Sequence, residues 1–257
     1  VGGQFTAIAG VARGFVTRLN SDGTDDSTFA IGSGADNVVR AVQLLPDGSI
    51  VIGGDFTSYN GTNINRIARL NPDGSFDTTF SPGLGADASV NSILLTTNGS
   101  IVVGGSFVTF NGFTRNGLTQ LNSDGSLDAG FNAGIGANGS VNALGLRTDN
   151  KIVVVGSFSQ FNGIPFANIT RINPDGSLDD AFNPLPGSDG PITEIGEAKK
   201  VAREIGYHAL KLERRSFTTP SHREGSFEQV LNDFKASYFA GAVLLPRDRL
   251  VADLRAF

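Results

Sequence analysis

Asparagine and aspartate return along this chain in one fixed pattern. Asn71-x-Asp73-Gly74-x-x-Asp77 recurs as Asn122/Asp124/Asp128 and as Asn173/Asp175/Asp179. Oxygen ligands around a tight glycine turn would suit a hard cation such as Ca²⁺. The pattern lacks the full loop and the bidentate Glu of an EF-hand. The competing reading is a hairpin turn, where Asn and Asp accept backbone N–H bonds and Gly supplies positive φ. The turn is favoured. Phe29, Phe80, Phe131 and Phe182 recur in step with it. They would either stack on sugars or form a core between units, and their identical placement favours the core. The Asn-x-Ser/Thr sequences at Asn60, Asn98, Asn138 and Asn168 match a glycosylation acceptor, but the Asn-Gly pairs among them already have a turn role. The chain has no Cys, which excludes a disulfide scaffold, a thiolate metal site and a Cys nucleophile. No triad, phosphate loop or intact metal cluster is recognisable. The sequence therefore assigns no catalytic, cofactor or metal residue and reads as non-enzymatic.

The elements that position these residues form an internal repeat. Val1-Gly2-Gly3-Gln4-Phe5 returns as Ile52-Gly53-Gly54-Asp55-Phe56, Val103-Gly104-Gly105-Ser106-Phe107 and Val154-Val155-Gly156-Ser157-Phe158, each 51 residues after the last. The Asn-x-Asp-Gly turns and the phenylalanines keep the same step. A constant period near 50 signals a propeller or another repeat array. Each period reads as four short strands. In one of them Val90–Leu95 is followed by an Asn98-Gly99 turn whose two residues both accept positive φ. Ile101–Val103 is the second strand, Asn111-Gly112 a further turn, Gly117–Leu121 the third strand, and Ser126–Asp128 starts a short fourth. The predicted fold class is mainly β, a propeller-type array over residues 1–195 with periods 1–51, 52–102, 103–153 and 154–195. The chain starts at a second strand, and Pro191–Ile195 would supply a first strand. Three full periods and most of a fourth fall short of the usual 4–8 blades, so an open arc is expected ahead of a closed four-bladed ring.

The string V-G-G-x-F, N-G, R-L-N-P-D-G-S-x-D-x-x-F resembles the delta-sixty repeat of bacterial β-propellers. The resemblance covers residues 1 to about 195 and implies a surface or secreted repeat module. It brings no catalytic residues.

The last 61 residues differ. Residues 1–196 carry 9 Lys+Arg and 17 Asp+Glu, whereas 197–257 carry 11 and 8. Such a break marks a boundary near 190–196. Ala198, Val201, Ala202, Ile205, Ala209 and Leu212 follow helical spacing. Ser226-x-x-Gln229 is a capping box that opens a second helix, and Leu250–Phe257 begins a third. Residues 196–257 thus read as a helical segment, an incomplete domain. Ala202–His208 and Ser226–Pro246 resemble part of the ImmA/IrrE family of helix-turn-helix regulators, some of which carry a zinc peptidase site. The resemblance places Arg203 and Tyr207 at the two His ligands, Lys235 at the acidic ligand and Glu204 at the general base. Protonated Arg and Lys do not ligate a cation. The zinc site is therefore degenerate, with His208 and His222 as surface or interface residues.

The repeats carry a balance of −8, which argues against nucleic-acid binding through them. Ala242–Leu245 is far too short to span a membrane. No signal peptide opens the chain, and it starts without Met, as a fragment or processed product would. The expected function is a non-enzymatic repeat module for protein or glycan interaction or for structural display in a bacterial protein, outside the cell or on its surface. The alternatives are a fragment of a cytoplasmic regulator fused to repeats, or a chimera joined near Asp189–Gly196 with no joint function.

Overall fold

The structure is a computed structural model that describes residues 1–182 and 187–195. The helical segment expected over 196–257, with Arg203, Glu204, Tyr207, His208, His222 and Lys235, lies outside the described residues. Every element assigned within them is a β-strand.

Three antiparallel three-stranded sheets follow one another at the 51-residue step. Val39–Leu44, Ile50–Gly54 and Ile67–Leu70 form one. Val90–Leu95, Ile101–Gly105 and Leu118–Leu121 form the next. Ser140–Leu146, Ile152–Ser157 and Ile169–Ile172 form the last. The middle strand pairs with both others in each. The fourth strand expected from the sequence is present only as an isolated bridge, Leu70 to Phe76, Leu121 to Leu127 and Ile172 to Leu178. The turn residues leave too short a run beyond them for a longer ladder. The first repeat enters at its second strand, with Gly2 bridged to Val16 and Leu19 to Asp25.

The middle strands explain why the centre of each sheet is covered on both faces, although Val42 and Leu44 of the first strand in the first sheet are exposed. Ile101 and Val103 join a core with Val51, Ile67 and Val90, while Val102 joins a different core with Ile152, Val154 and Leu144. A strand alternates its side chains between two faces, so each face is covered by a different neighbour. An uninterrupted β-branched run is what such double burial demands. Val90 and Val141 of the first strands pack on the glycines of the preceding repeat. A Cβ at Gly53 would lie 2.4 Å from Val90 Cγ1, and one at Gly104 would lie 2.7 Å from Val141 Cγ1.

The ladder slips at the same place in each first strand, between Val39 and Ala41, Val90 and Ser92, and Val141 and Ala143. Such a bulge re-aims the extra side chain. Asn91 Nδ2 donates to Val141 O at 3.1 Å, and Asn142 Nδ2 donates to Ile192 O at 2.9 Å. The expected first strand at Pro191–Ile195 is not formed as a strand. Ile192 nevertheless occupies its register position, fully buried against Val153, Val155 and Phe182. The four core clusters run in chain order. Among the described residues none of them joins the first repeat to the fourth.

The Asn-Gly turns divide into two kinds. Asn60-Gly61, Asn111-Gly112 and Asn162-Gly163 have positive φ at both residues and close two-residue hairpins, Ser58–Tyr59 with Thr62–Asn63, Thr109–Phe110 with Phe113–Thr114, and Gln160–Phe161 with Ile164–Pro165. These hairpins stand between the second and third strands. Asn98-Gly99 corrects the expectation: Gly99 alone has positive φ, and Asn98 Oδ1 accepts from Thr96 Oγ1 and Ser100 N.

The close approach of neighbouring sheets sets a mutational asymmetry. Gly53→Ala should lower stability by about 1–3 kcal/mol, because the new methyl overpacks Val90. Gly190→Ala meets nothing within 4 Å at ordinary φ and should leave stability within about 0.5 kcal/mol. Urea unfolding midpoints of the two variants check this.

Candidate interaction face

The carboxylates singled out by spacing do structural work. Asp73, Asp124 and Asp175 each accept from the backbone N–H and hydroxyl of the serine two residues on. They are turn residues, as the favoured reading had it. The third member of each set points elsewhere. Asp77 Oδ2 accepts from Arg69 Nε at 2.6 Å, and Asp179 is paired with Arg171 and with Lys151 Nζ. Asp128 Oδ2 accepts from Gln120 Nε2 at 2.7 Å. The three residues of a set are therefore split between a turn and an ion pair or its amide equivalent. Among the described residues no group of three or more His, Cys, Asp or Glu converges as a metal site would need.

The paired arginine also covers the recurring ring. Arg18, Arg69 and Arg171 lie 5.0, 5.1 and 5.0 Å from the ring centroids of Phe29, Phe80 and Phe182. All four phenylalanines are buried, so they form core and are not open to a sugar. Asp26 is pushed down to about 2 by the Thr28 hydroxyl and the Arg18 guanidinium. Burial pushes Asp77 and Asp179 up, but hydrogen bonds from Thr79 and Arg69, and from Lys151 and Arg171, outweigh it and hold both below the usual range.

The four sequon asparagines are similarly engaged. Asn60 Oδ1 accepts from Ser33 N, Asn98 from Ser100 N and Asn138 from Ser159 N, while Asn168 Nδ2 donates to Ser188 O.

What these contacts leave open is the loop that leads into each sheet. Gly83-Leu84-Gly85 and Gly134-Ile135-Gly136 have positive φ at both glycines, which turns the central side chain outward. Leu84 is 69% exposed and Ile135 61%. Both backbone groups of each are clamped. Leu84 N donates to Asn111 Oδ1 at 3.0 Å, and Leu84 O accepts from Asn65 Nδ2 at 2.9 Å. Ile135 N donates to Asn162 Oδ1 at 3.0 Å, and Ile135 O accepts from Asn116 Nδ2 at 2.6 Å. Beside them Phe113 and Ile164, on the return strands of the hairpins, are also exposed. A cavity of about 130 Å³ opens beside Ile135, bounded by Asn116, Asn138, Gln160 and Gly163. Sequence reasoning missed Leu84 and Ile135. The available signal was the Gly-x-Gly that recurs at the same step, with Ser33 at its centre in the first copy and an apolar residue in the next two.

Residues 1–29, 45–80, 96–131 and 147–182 match the profile described as a domain of unknown function (DUF5122) beta-propeller. The chain belongs to this family. Each complete DUF5122 match runs from the turn before the second strand to the buried phenylalanine and leaves the clamped loop and first strand between matches. No curated protein matches the chain. Two solved structures are similar at low scores. One, described as a candidate gluconolactonase, has 13% identity and a TM-score of 0.33, with 62% of this chain and 52% of that chain covered. The chain thus spans about half the length of that protein. The other, a protein of unknown function from Bacteroides caccae, has 13% identity and a TM-score of 0.29, with 63% and 72% covered. Likenesses this weak carry no argument about activity.

The lowered carboxylates give the array an acid limit. A carboxylate whose folded pKa is depressed contributes stability above its unfolded value of 3.8 and loses it as pH falls through the folded value. The urea midpoint should be flat above about pH 5 and fall between about pH 4 and pH 2. Asp26→Asn should lower the neutral midpoint and flatten that acid slope, read from unfolding curves at each pH.

Proposed function

We propose that the DUF5122 array is a non-catalytic interaction module that presents rigid apolar side chains to a protein partner. The observation that carries this is the pair of clamped loops. Leu84 and Ile135 stand in water on backbones held at both N–H and C=O, at equivalent positions of adjacent repeats. Exposed aliphatic side chains in a fixed conformation lower the ordering cost of association. Burying one such side chain in a partner contributes about 1.5–3 kcal/mol. A protein surface is favoured over a glycan because Leu84, Ile135 and Ile164 are aliphatic and Phe113 alone among these four presents a ring, whereas sugar stacking calls for exposed aromatic rings, and the periodic ones are buried. The recurring carboxylates speak against one catalytic role only: Asp26, Asp77 and Asp179 are all held low, whereas a general acid at neutral pH requires a raised value.

The test compares the full chain with Leu84→Asp/Ile135→Asp in three measurements: pull-down, a glycan array, and a panel of ester, lactone and glycoside substrates. The double variant should fold unchanged, since both side chains are exposed. It should bind a protein captured by the unaltered chain at least about tenfold more weakly. Neither form should turn over a substrate. Reproducible turnover, or glycan binding that survives the double substitution, overturns the proposal.

A further inference from the structure

An asparagine followed by glycine can lose its own amide, because a residue without a Cβ leaves its backbone nitrogen open to the preceding side chain. The chain has six such pairs, beginning at Asn60, Asn98, Asn111, Asn116, Asn138 and Asn162. By sequence they are equivalent. The fold separates one from the other five.

Those five are fastened by another loop or hairpin. Asn60, Asn111 and Asn162 donate their backbone N–H to Gly34 O, Gly85 O and Gly136 O, each at 2.7 Å. Their Oδ1 atoms accept from Ser33 N, Leu84 N and Ile135 N of the entering loops. The side chains are wedged there, since a Cβ at Gly32, Gly83 or Gly134 would lie 2.1, 2.1 or 2.2 Å from the amide oxygen. Asn116 Nδ2 donates to Ile135 O at 2.6 Å, and Gly117 N is itself engaged, donating to Phe107 O at 2.8 Å. Asn138 uses both ends of its amide: Oδ1 accepts from Ser159 N and Gln160 N, and Nδ2 donates to Ser159 Oγ. Swinging any of these five side chains onto the following nitrogen requires separate parts of the repeat to come apart.

Asn98 is held by its own turn. Oδ1 accepts from Thr96 Oγ1 at 2.5 Å and from Ser100 N at 3.2 Å, and Gly99 N donates to Thr96 O at 3.1 Å. Both residues are exposed, and a Cβ at Gly99 would meet nothing within 4 Å. Thr97 Oγ1 donates to Asn150 Oδ1 at 2.8 Å, an exposed side-chain bond that leaves the Asn98 amide untouched. The turn joins Val90–Leu95 to Ile101–Gly105, and an exposed hairpin tip opens locally at far lower cost than the packed sheets.

The same turn accommodates the product. One period to either side, the equivalent residues are Asp47 and Asp149. Asp47 Oδ1 accepts from the N–H and hydroxyl of Ser49, and Asp149 Oδ1 accepts from Lys151 N. A carboxylate at position 98 has Ser100 N available in the same way.

We propose that Asn98 is a site of spontaneous deamidation in the folded chain, and that the fold protects the other five pairs. Gly99 N loses its proton to water and bonds to Asn98 Cγ. The Cγ–Nδ2 bond breaks, and the amide nitrogen takes a proton from water and leaves as ammonia. Water then adds to either carbonyl of the five-membered imide and breaks that carbonyl's bond to Gly99 N. The products are aspartate or isoaspartate, and the turn gains one negative charge between Asp47 and Asp149. The site lies at the far end of the first strand from the loop that presents Leu84, and it does not rest on the interaction reading above.

The test incubates the full chain in mildly alkaline buffer, folded and in urea, and follows each asparagine by peptide mass spectrometry. In the folded chain Asn98 should convert to the acid at least about tenfold faster than any of the other five. In urea the six rates should converge to within about threefold, because the contacts that set them apart are gone. Asn98→Asp should keep the urea midpoint of the unaltered chain. Another pair that converts as fast as Asn98 in the folded chain overturns the proposal. So does an Asn98 that converts in urea but survives in the folded chain, or the same preference for Asn98 in both states. A lowered midpoint in Asn98→Asp overturns the fit of the product.

Discussion

Everything in this array depends on sheets that cannot cover themselves. The middle strand Ile101–Gly105 is buried along its whole length, yet its side chains belong to two cores. Ile101 and Val103 are shielded by one neighbour and Val102 by the other. Each buried aliphatic side chain contributes about 1.5–3 kcal/mol only when the adjacent repeat is in place. Stability therefore resides in the junctions, as nearest-neighbour terms, and an isolated repeat would have two wet apolar faces.

The junction is held at three radii by three different chemistries. Near the first strands a bulge frees Asn91 and Asn142 to bond the next repeat's backbone. In the middle, Gly53 and Gly104 let β-branched residues of the next first strand approach to contact distance. On the outer side an arginine joins an aspartate, a phenylalanine ring and the next turn. Polar atoms thus reach across each junction at defined points, and the apolar surface between them fixes the spacing. Where one arginine is replaced, at Gln120, the amide still reaches Asp128, and the core beneath it is unchanged in kind.

Rigid packing of this sort leaves the entering loops as the places where side chains are free to act. Asparagines from two adjacent repeats grip each loop, so its position is set by the junction itself. The exposed Leu84 and Ile135 are therefore part of the same design as the buried phenylalanines. One set faces the neighbouring repeat, and the other stands exposed to solvent.

The period, the strand order and the buried role of Phe29, Phe80, Phe131 and Phe182 were all legible in the sequence, because a residue type that returns every 51 positions must occupy equivalent surroundings. The turn role of Asp73, Asp124 and Asp175 was legible too, since a side chain bonding two residues onward is a local event. Asp77 and Asp179 were not, because their partners, Arg69 and Arg171, come from the adjacent strand. The lone bridge in place of a fourth strand, the bulges, and the Asn98 turn with a single positive φ also escaped it. Backbone φ at Asn98 depends on how the two strands twist together, and a bulge depends on what the freed side chain finds across the junction. Most plainly, the sequence marks Leu84 and Ile135 as apolar, but only the tertiary arrangement decides that they face water. Both flanking glycines adopt positive φ and two asparagines from separate repeats lock the loop there, and neither condition can be met until the sheets have stacked.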